Sequence, residues 1–180
     1  GRVQVNTKGL DVLLEAWDRI CLVRPQADIL LLLVGSGRDR EVVSQRIGSN
    51  PRALWIDRYI YGRRQLWSYL MAADLYAMPS RYEGFAVAAL EAMACGLPVV
   101  ASDAPGVADI FPRGEEDGGI VVPREDVAAL AGGLLRLIDG SVKPDSGTIK
   151  LGETVVICHV DQGREDLDPK KSVFVEITDG

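Results

Sequence analysis

The chain has 180 residues, 20 Lys plus Arg against 26 Asp plus Glu, a formal charge of −6 and 47% hydrophobic residues. That length suits one ordinary domain, or one domain with an appendage, and the apolar share is enough for a core. The acidic balance argues against a nucleic-acid binder, and the single histidine, His159, argues against a multi-His metal site or a Ser/His/Asp triad. The longest aliphatic run, residues 29–34, falls far short of the roughly 20 residues of a membrane span. No basic-then-apolar leader opens the chain. Cys21, Cys95 and Cys158 are odd in number and far apart, so they read as small apolar residues in a reducing, cytoplasmic compartment.

In chain order, residues 2–5 form a candidate strand. Leu10, Leu13, Leu14, Trp17 and Cys21 recur at helical spacing, with Asp11 and Glu15 near the helix start. Residues 29–34 read as a strand buried on both faces that ends at Gly35-Ser36-Gly37. A helix is expected over 41–47, a weak strand over 54–56, a helix over 65–73 and a strand over 75–78. Residues 85–94 make an Ala-rich helix closed by Gly96 and Pro98. Strands follow at 98–101 and 119–122, and a helix at 127–138. The run 114–119 reads as a solvated loop. Alternating strands and helices of these lengths predict an α/β fold, a doubly wound parallel sheet built from right-handed crossovers. Beyond it, residues 147–151 and 154–160 alternate around Gly152-Glu153 and predict a β-hairpin appendage.

The charge divides unevenly. Residues 1–136 hold 14 Arg and one Lys against 17 acids, whereas residues 137–180 hold four Lys and one Arg against nine acids. That shift marks a candidate boundary between two segments, 1–136 and 137–180.

Chemistry concentrates in residues 79–98. Glu83 stands just before the 85–94 helix and Glu91 lies about two turns into it. A helix N-terminus offers unpaired N–H groups and partial positive charge, which suit a phosphate. A carboxylate on an apolar helix needs donors, and a sugar diol supplies two. The same pattern also fits a helix cap at Glu83 and a solvent face at Glu91. Near the N-terminus, Arg2 and Lys8 flank a strand-to-helix turn, and Lys8 is the only lysine before residue 137. Two cations placed so can clamp a diphosphate, or can be ordinary surface charges. Gly35-Ser36-Gly37 lacks the third glycine of a dinucleotide fingerprint.

These residues resemble the C-terminal, nucleotide-sugar-binding half of a family 4 (group 1) retaining glycosyltransferase of GT-B architecture. The resemblance is carried by Gly1-Arg2 with Lys8-Gly9, by Leu32 to Gly37, by Ala73-Asp74-Leu75, by Pro79-Ser80, by Glu83 and Glu91 with seven residues between, and by Gly96 to Ser102. It implies a Rossmann-like half domain. It also implies a donor site in which Arg2 and Lys8 bind the diphosphate and Glu83 with Gly84 lies by the sugar or phosphates. The N–H groups of Phe85, Ala86 and Val87 would face the phosphates, and Glu91 would take the ribose hydroxyls. No metal or cofactor is implied; the nucleotide diphosphate-sugar is a substrate. Ala86 stands where the family often has Gly, a methyl that could crowd the phosphates. Residues 55–62 match the family poorly. The resemblance further implies that the acceptor half lies outside this chain. The chain is then expected to bind donor weakly, to transfer little sugar alone, and to self-associate through the face left open.

Residues 134–180 resemble a piece of an ABC-F type ATP-binding cassette, quoted from Lys143 to Gln162 and Asp166 to Ser172. That resemblance makes Gln162 a Q-loop residue. No Gly-Lys dipeptide, signature motif or aliphatic run ending in Asp-Glu accompanies it, so no Walker A phosphate loop is present. A chimera of two truncated proteins, joined within residues 134–138, is the expectation; a translation-associated ATPase fragment and a non-functional chimera are the competing readings.

Overall fold

The computed structural model describes residues 4–107 and 109–141. The chain divides into two units, Gly1–Ile149 and Lys150–Gly180, and all that follows concerns the first. The expected hairpin over 147–160, Gln162 and Arg2 lie outside the described residues.

Helices α1 (Val5–Lys8) and α2 (Leu10–Val23) meet at Gly9, whose backbone is left-handed at φ 60°. Val5 opens a helical turn instead of closing a strand. Its N–H donates to Asp39 Oδ2 at 2.8 Å, and the Arg81 guanidinium donates to the Val5 and Asn6 carbonyls. These long-range bonds override the β preference of the valine. Along α2, Leu10, Leu13, Leu14, Trp17 and Ile20 turn inward, while Cys21 sits at the edge of the core.

Strands β1 (Leu31–Val34) and β2 (Ala53–Ile56) pair in parallel through α3 (Arg40–Ile47). After α4 (Arg63–Met71), strands β3 (Tyr76–Met78), β4 (Val99–Ser102) and β5 (Gly119–Val122) form a second parallel group in the order β3-β4-β5. Helix α5 (Val87–Ala94) links β3 to β4, and a short 3-10 helix (Gly114–Asp117) lies between β4 and β5. That 3-10 turn replaces the expected loop because Arg113 pairs with Asp117 and Arg136 with Glu115. Helix α6 (Val127–Ile138) closes the domain, its N-terminus capped by Asp126, which accepts from the Ala129 N–H at 2.9 Å.

The period of two along each strand sorts the core into two layers. Val100, Ile120 and Val122 face α2, α3 and α6. Met78, Val99 and Ala101 face Leu70 of α4 and Ala89 and Ala92 of α5. Helices therefore cover both faces of the parallel strands, the doubly wound α/β architecture expected from the sequence. Gly133 lets α6 press on the sheet: a Cβ there would stand 3.0 Å from Val100 and 3.3 Å from Ile120. No helix among the described residues is long and apolar enough to cross a membrane.

Candidate functional site

In a parallel α/β sheet, ligands gather where the strands end at their C-termini. Here β3 ends in the buried Pro79 and Ser80, and β4 ends in the buried Ser102. The Ser102 hydroxyl donates to the Ser80 carbonyl, and the Ser80 hydroxyl donates to Glu83 Oε1 at 2.6 Å. The same Glu83 oxygen accepts from Lys8 Nζ at 2.7 Å. Thus the segment after β3 and the end of α1 converge on one carboxylate, whose side chain is only 13% exposed, and the end of β4 is tied in through the Ser80 carbonyl.

Two glycines make that convergence sterically possible. A Cβ on Gly9 would collide with the Pro79 carbonyl, and one on Gly106 (φ 83°) would press into the Glu83 carbonyl. Both stand in the left-handed region, which glycine alone adopts without strain. The Glu83 N–H donates to the Pro105 carbonyl at 3.2 Å, so backbone bonds hold the residue from below as well.

Glu83 does not cap α5. The residue at the cap is Ala86, with φ −81° and ψ 59°, and no side chain bonds to the helix N-terminus. The helix begins at Val87, two residues later than its apolar pattern suggests, because the Val87 N–H turns back to the Phe85 carbonyl at 2.8 Å. The Val87 amide is therefore engaged. Those of Gly84, Phe85 and Ala86 donate to no acceptor among the described residues. The Ala86 methyl, a possible obstacle to phosphates, is instead 1% exposed and packed in the second core layer. Phe85 and Val87 are exposed.

Glu91 is half-buried, not solvent-facing, and its carboxylate accepts no hydrogen bond among the described residues. Tyr76, on β3, lies within electrostatic reach of both glutamates. Burial pushes its phenol up to about 12, and the Glu83 and Glu91 carboxylates push the same way. The site thus combines two carboxylates and a neutral phenol with Lys8 and the unpaired amides.

Arg81 frames the whole. Its guanidinium makes a bidentate pair with Asp11 at 2.8 Å and bonds Glu125 at 2.8 Å. Its N–H donates to the Thr7 carbonyl at 3.0 Å. Neither Arg81, Ser80 nor Tyr76 is singled out by sequence spacing. A serine directly after a buried strand and an arginine beside it were the available signals.

The chain belongs to the group 1 glycosyl transferases: the family model matches residues 1–140. Its structural neighbours are GT-B glycosyltransferases, in line with a Rossmann-like half domain. It is 33% identical over 148 residues to the GDP-mannose-dependent monoacylated alpha-(1-6)-phosphatidylinositol monomannoside mannosyltransferase of Corynebacterium glutamicum. That match covers 77% of this chain and 37% of the relative, so the chain spans little more than a third of the relative's length. Anabaena HepE, solved in complex with UDP, superimposes with a TM-score of 0.65 at 25% identity, over 80% of this chain and 39% of that one. A separate match joins 47 residues to the energy-dependent translational throttle protein EttA of Haemophilus influenzae, at 47% identity over 26% of this chain and 8% of the relative.

Proposed function

We propose that residues 1–136 bind a nucleoside diphosphate-sugar as the donor domain of a retaining glycosyltransferase that transfers a hexosyl group. The observation that carries this reading is the Lys8–Glu83 pair at 2.7 Å, set beside three unpaired amides at the strand ends. Lys8 and the amides of Gly84, Phe85 and Ala86 would neutralise the diphosphate, and Arg2 would join them from the N-terminal segment. The free Glu91 carboxylate would accept two hydrogen bonds from the ribose diol. Glu83 would orient Lys8 and reach the sugar. A relative named for GDP-mannose and a neighbour solved with UDP support a nucleoside diphosphate without choosing the base. We assign the acceptor surface to the part of the relatives' length that this chain does not span. Without it, donor and acceptor are not held together and transfer is slow.

The test is thermal unfolding with UDP, GDP, ADP and ATP, in the wild type, Glu91→Ala and Lys8→Met. A bound diphosphate at 100 times its dissociation constant should stabilise the protein by about 2.7 kcal/mol. Both substitutions should reduce that gain. If no nucleoside diphosphate raises Tm, the donor reading fails.

The EttA match favours a second reading for residues 137–180, a cassette-like segment joined to the glycosyltransferase segment in one chimeric chain. Sequencing across the source locus tests it: an uninterrupted native gene with this junction removes an assembly artefact. A rise in Tm with ATP alone, indifferent to Glu91→Ala, would favour an ATPase fragment instead.

A further inference from the structure

We propose that Asp39 and Arg81 are positioning residues: together they hold α1 by its backbone and so fix the Lys8 ammonium on Glu83. The use of that ammonium, to meet a diphosphate, rests on the donor reading above; the holding itself rests on geometry.

Helix α1 cannot place itself. It has four residues, little more than one turn, and so short a helix does not persist alone in water. None of its residues is buried, and Val5 packs only at the edge of the first core layer. Its placement comes instead from polar bonds, and two residues supply them. The Val5 N–H donates to Asp39 Oδ2 at 2.8 Å. The Arg81 N–H donates to the Thr7 carbonyl at 3.0 Å, and Arg81 Nη1 donates to the Asn6 carbonyl at 2.9 Å and the Val5 carbonyl at 3.3 Å. The backbone of residues 5, 6 and 7 is therefore bonded from outside just before the chain reaches Lys8.

Both residues are turned from a local role to this one. Asp39 stands at the N-cap of α3, where an aspartate ordinarily accepts from its own helix. It makes no such bond, and its carboxylate is given to α1. Through it the glycine turn after β1, Gly35-Ser36-Gly37, is tied to the site. Arg81 lies between Ser80 and Glu83, so the segment that presents the carboxylate also grips the helix that presents Lys8. The guanidinium is itself fixed by its bidentate pair with Asp11 and its bond to Glu125. An ammonium on a flexible four-carbon stem meets a fixed partner reliably only when its backbone is fixed, and a shift of about 1 Å is costly where atoms must meet. A tether that served only the core would hold a buried element, and α1 buries no residue.

Two measurements on the full chain test this. The first needs no ligand: acylation of Lys8 by an amine-reactive ester, read by peptide mass spectrometry relative to the four lysines of residues 137–180. Asp39→Ala and Arg81→Met should each speed it about threefold, the scale of losing one partly exposed ion pair. Asp39→Asn, which keeps an acceptor for the Val5 N–H, should react as the wild type does. So should Val100→Ala, which loosens the core without touching either tether. The second is the preference for UDP over UMP and for GDP over GMP, read by titration calorimetry. Asp39→Ala and Arg81→Met should each lower it about fivefold, because the charged contact to the second phosphate is what weakens. These two variants change the local charge in opposite directions, so a shared loss reports position and not field. An unchanged Lys8 rate in both variants would overturn the proposal, as would an equal rise in Val100→Ala or an unchanged diphosphate preference beside a faster Lys8. A faster Lys8 in both variants, with no diphosphate bound by the wild type, upholds the tethering and removes the donor reading.

Discussion

The β3-β4-β5 group and the β1-β2 group belong to one architecture but are finished differently. All four residues of β4 are buried, and layers of side chains cover both of its faces. None of the four residues of β1 is fully buried, and Leu54 on β2 stands half exposed. The candidate site sits at the ends of β3 and β4, where packing and backbone bonds fix every approach. The 58–71 segment follows β2, where side chains still face solvent. Rigid support belongs with a site that holds atoms at fixed distances.

Substitutions can break this contrast. The largest effect is expected at Gly106, where Gly106→Val combines a left-handed backbone with collision against the Glu83 carbonyl. It should cost about 3 kcal/mol or more in chemical denaturation, and a cost below about 1 would show that the loop relaxes freely. Next come two paired truncations. Val100→Ala, in the covered sheet and beside Gly133, should cost about 2 kcal/mol, whereas Leu54→Ala should cost less than about 0.5. Equal costs would erase the distinction between the two groups.

A smaller effect than that at Val100 is expected at Arg81. Its side-chain bonds hold the Asp11 carboxyl below the usual carboxylate range. A depressed carboxyl pKa contributes stability above its unfolded value, near 4, and that contribution is lost as pH falls through the folded value. Arg81→Met should therefore destabilise by about 1 kcal/mol at neutral pH, the figure being kept low because Asp11 is partly exposed. The gap between variant and wild type should narrow as pH falls through the lowered folded value of Asp11. A gap that persists unchanged in acid would assign the effect to packing and to the bonds with the Val5 and Asn6 carbonyls instead of to the pair.

The sequence is legible where local pattern and tertiary context agree. Residues 119–122 and 127–138 form a strand and a helix at those very bounds, since β-branched burial in one and the Asp126 cap in the other mark their own ends. It is less legible where distant residues decide. Val5 turns helical because Asp39 and Arg81, 34 and 76 positions away, take its backbone groups. The start of α5 shifts for a local reason that apolar periodicity does not carry: the Phe85 carbonyl captures the Val87 amide. In the site, spacing singles out Lys8, Glu83 and Glu91 separately, but a bond between residues 75 apart has no local signature. The same holds for Tyr76, which reads as an ordinary strand residue until the fold buries it within electrostatic reach of the two carboxylates.

The Lys8–Glu83 pair carries one more consequence. A cation already bonded to a carboxylate is not an open trap for anions; any newcomer must outcompete the incumbent. Chloride or a lone monoanion offers Lys8 less than Glu83 does, and gains no amides in exchange. A doubly charged group wide enough to touch Lys8 and the 84–86 amides together replaces one bond with several. On the donor reading proposed above, the pair would act as a threshold, silent toward small anions and responsive to a ligand that reaches Lys8 and the amides at once.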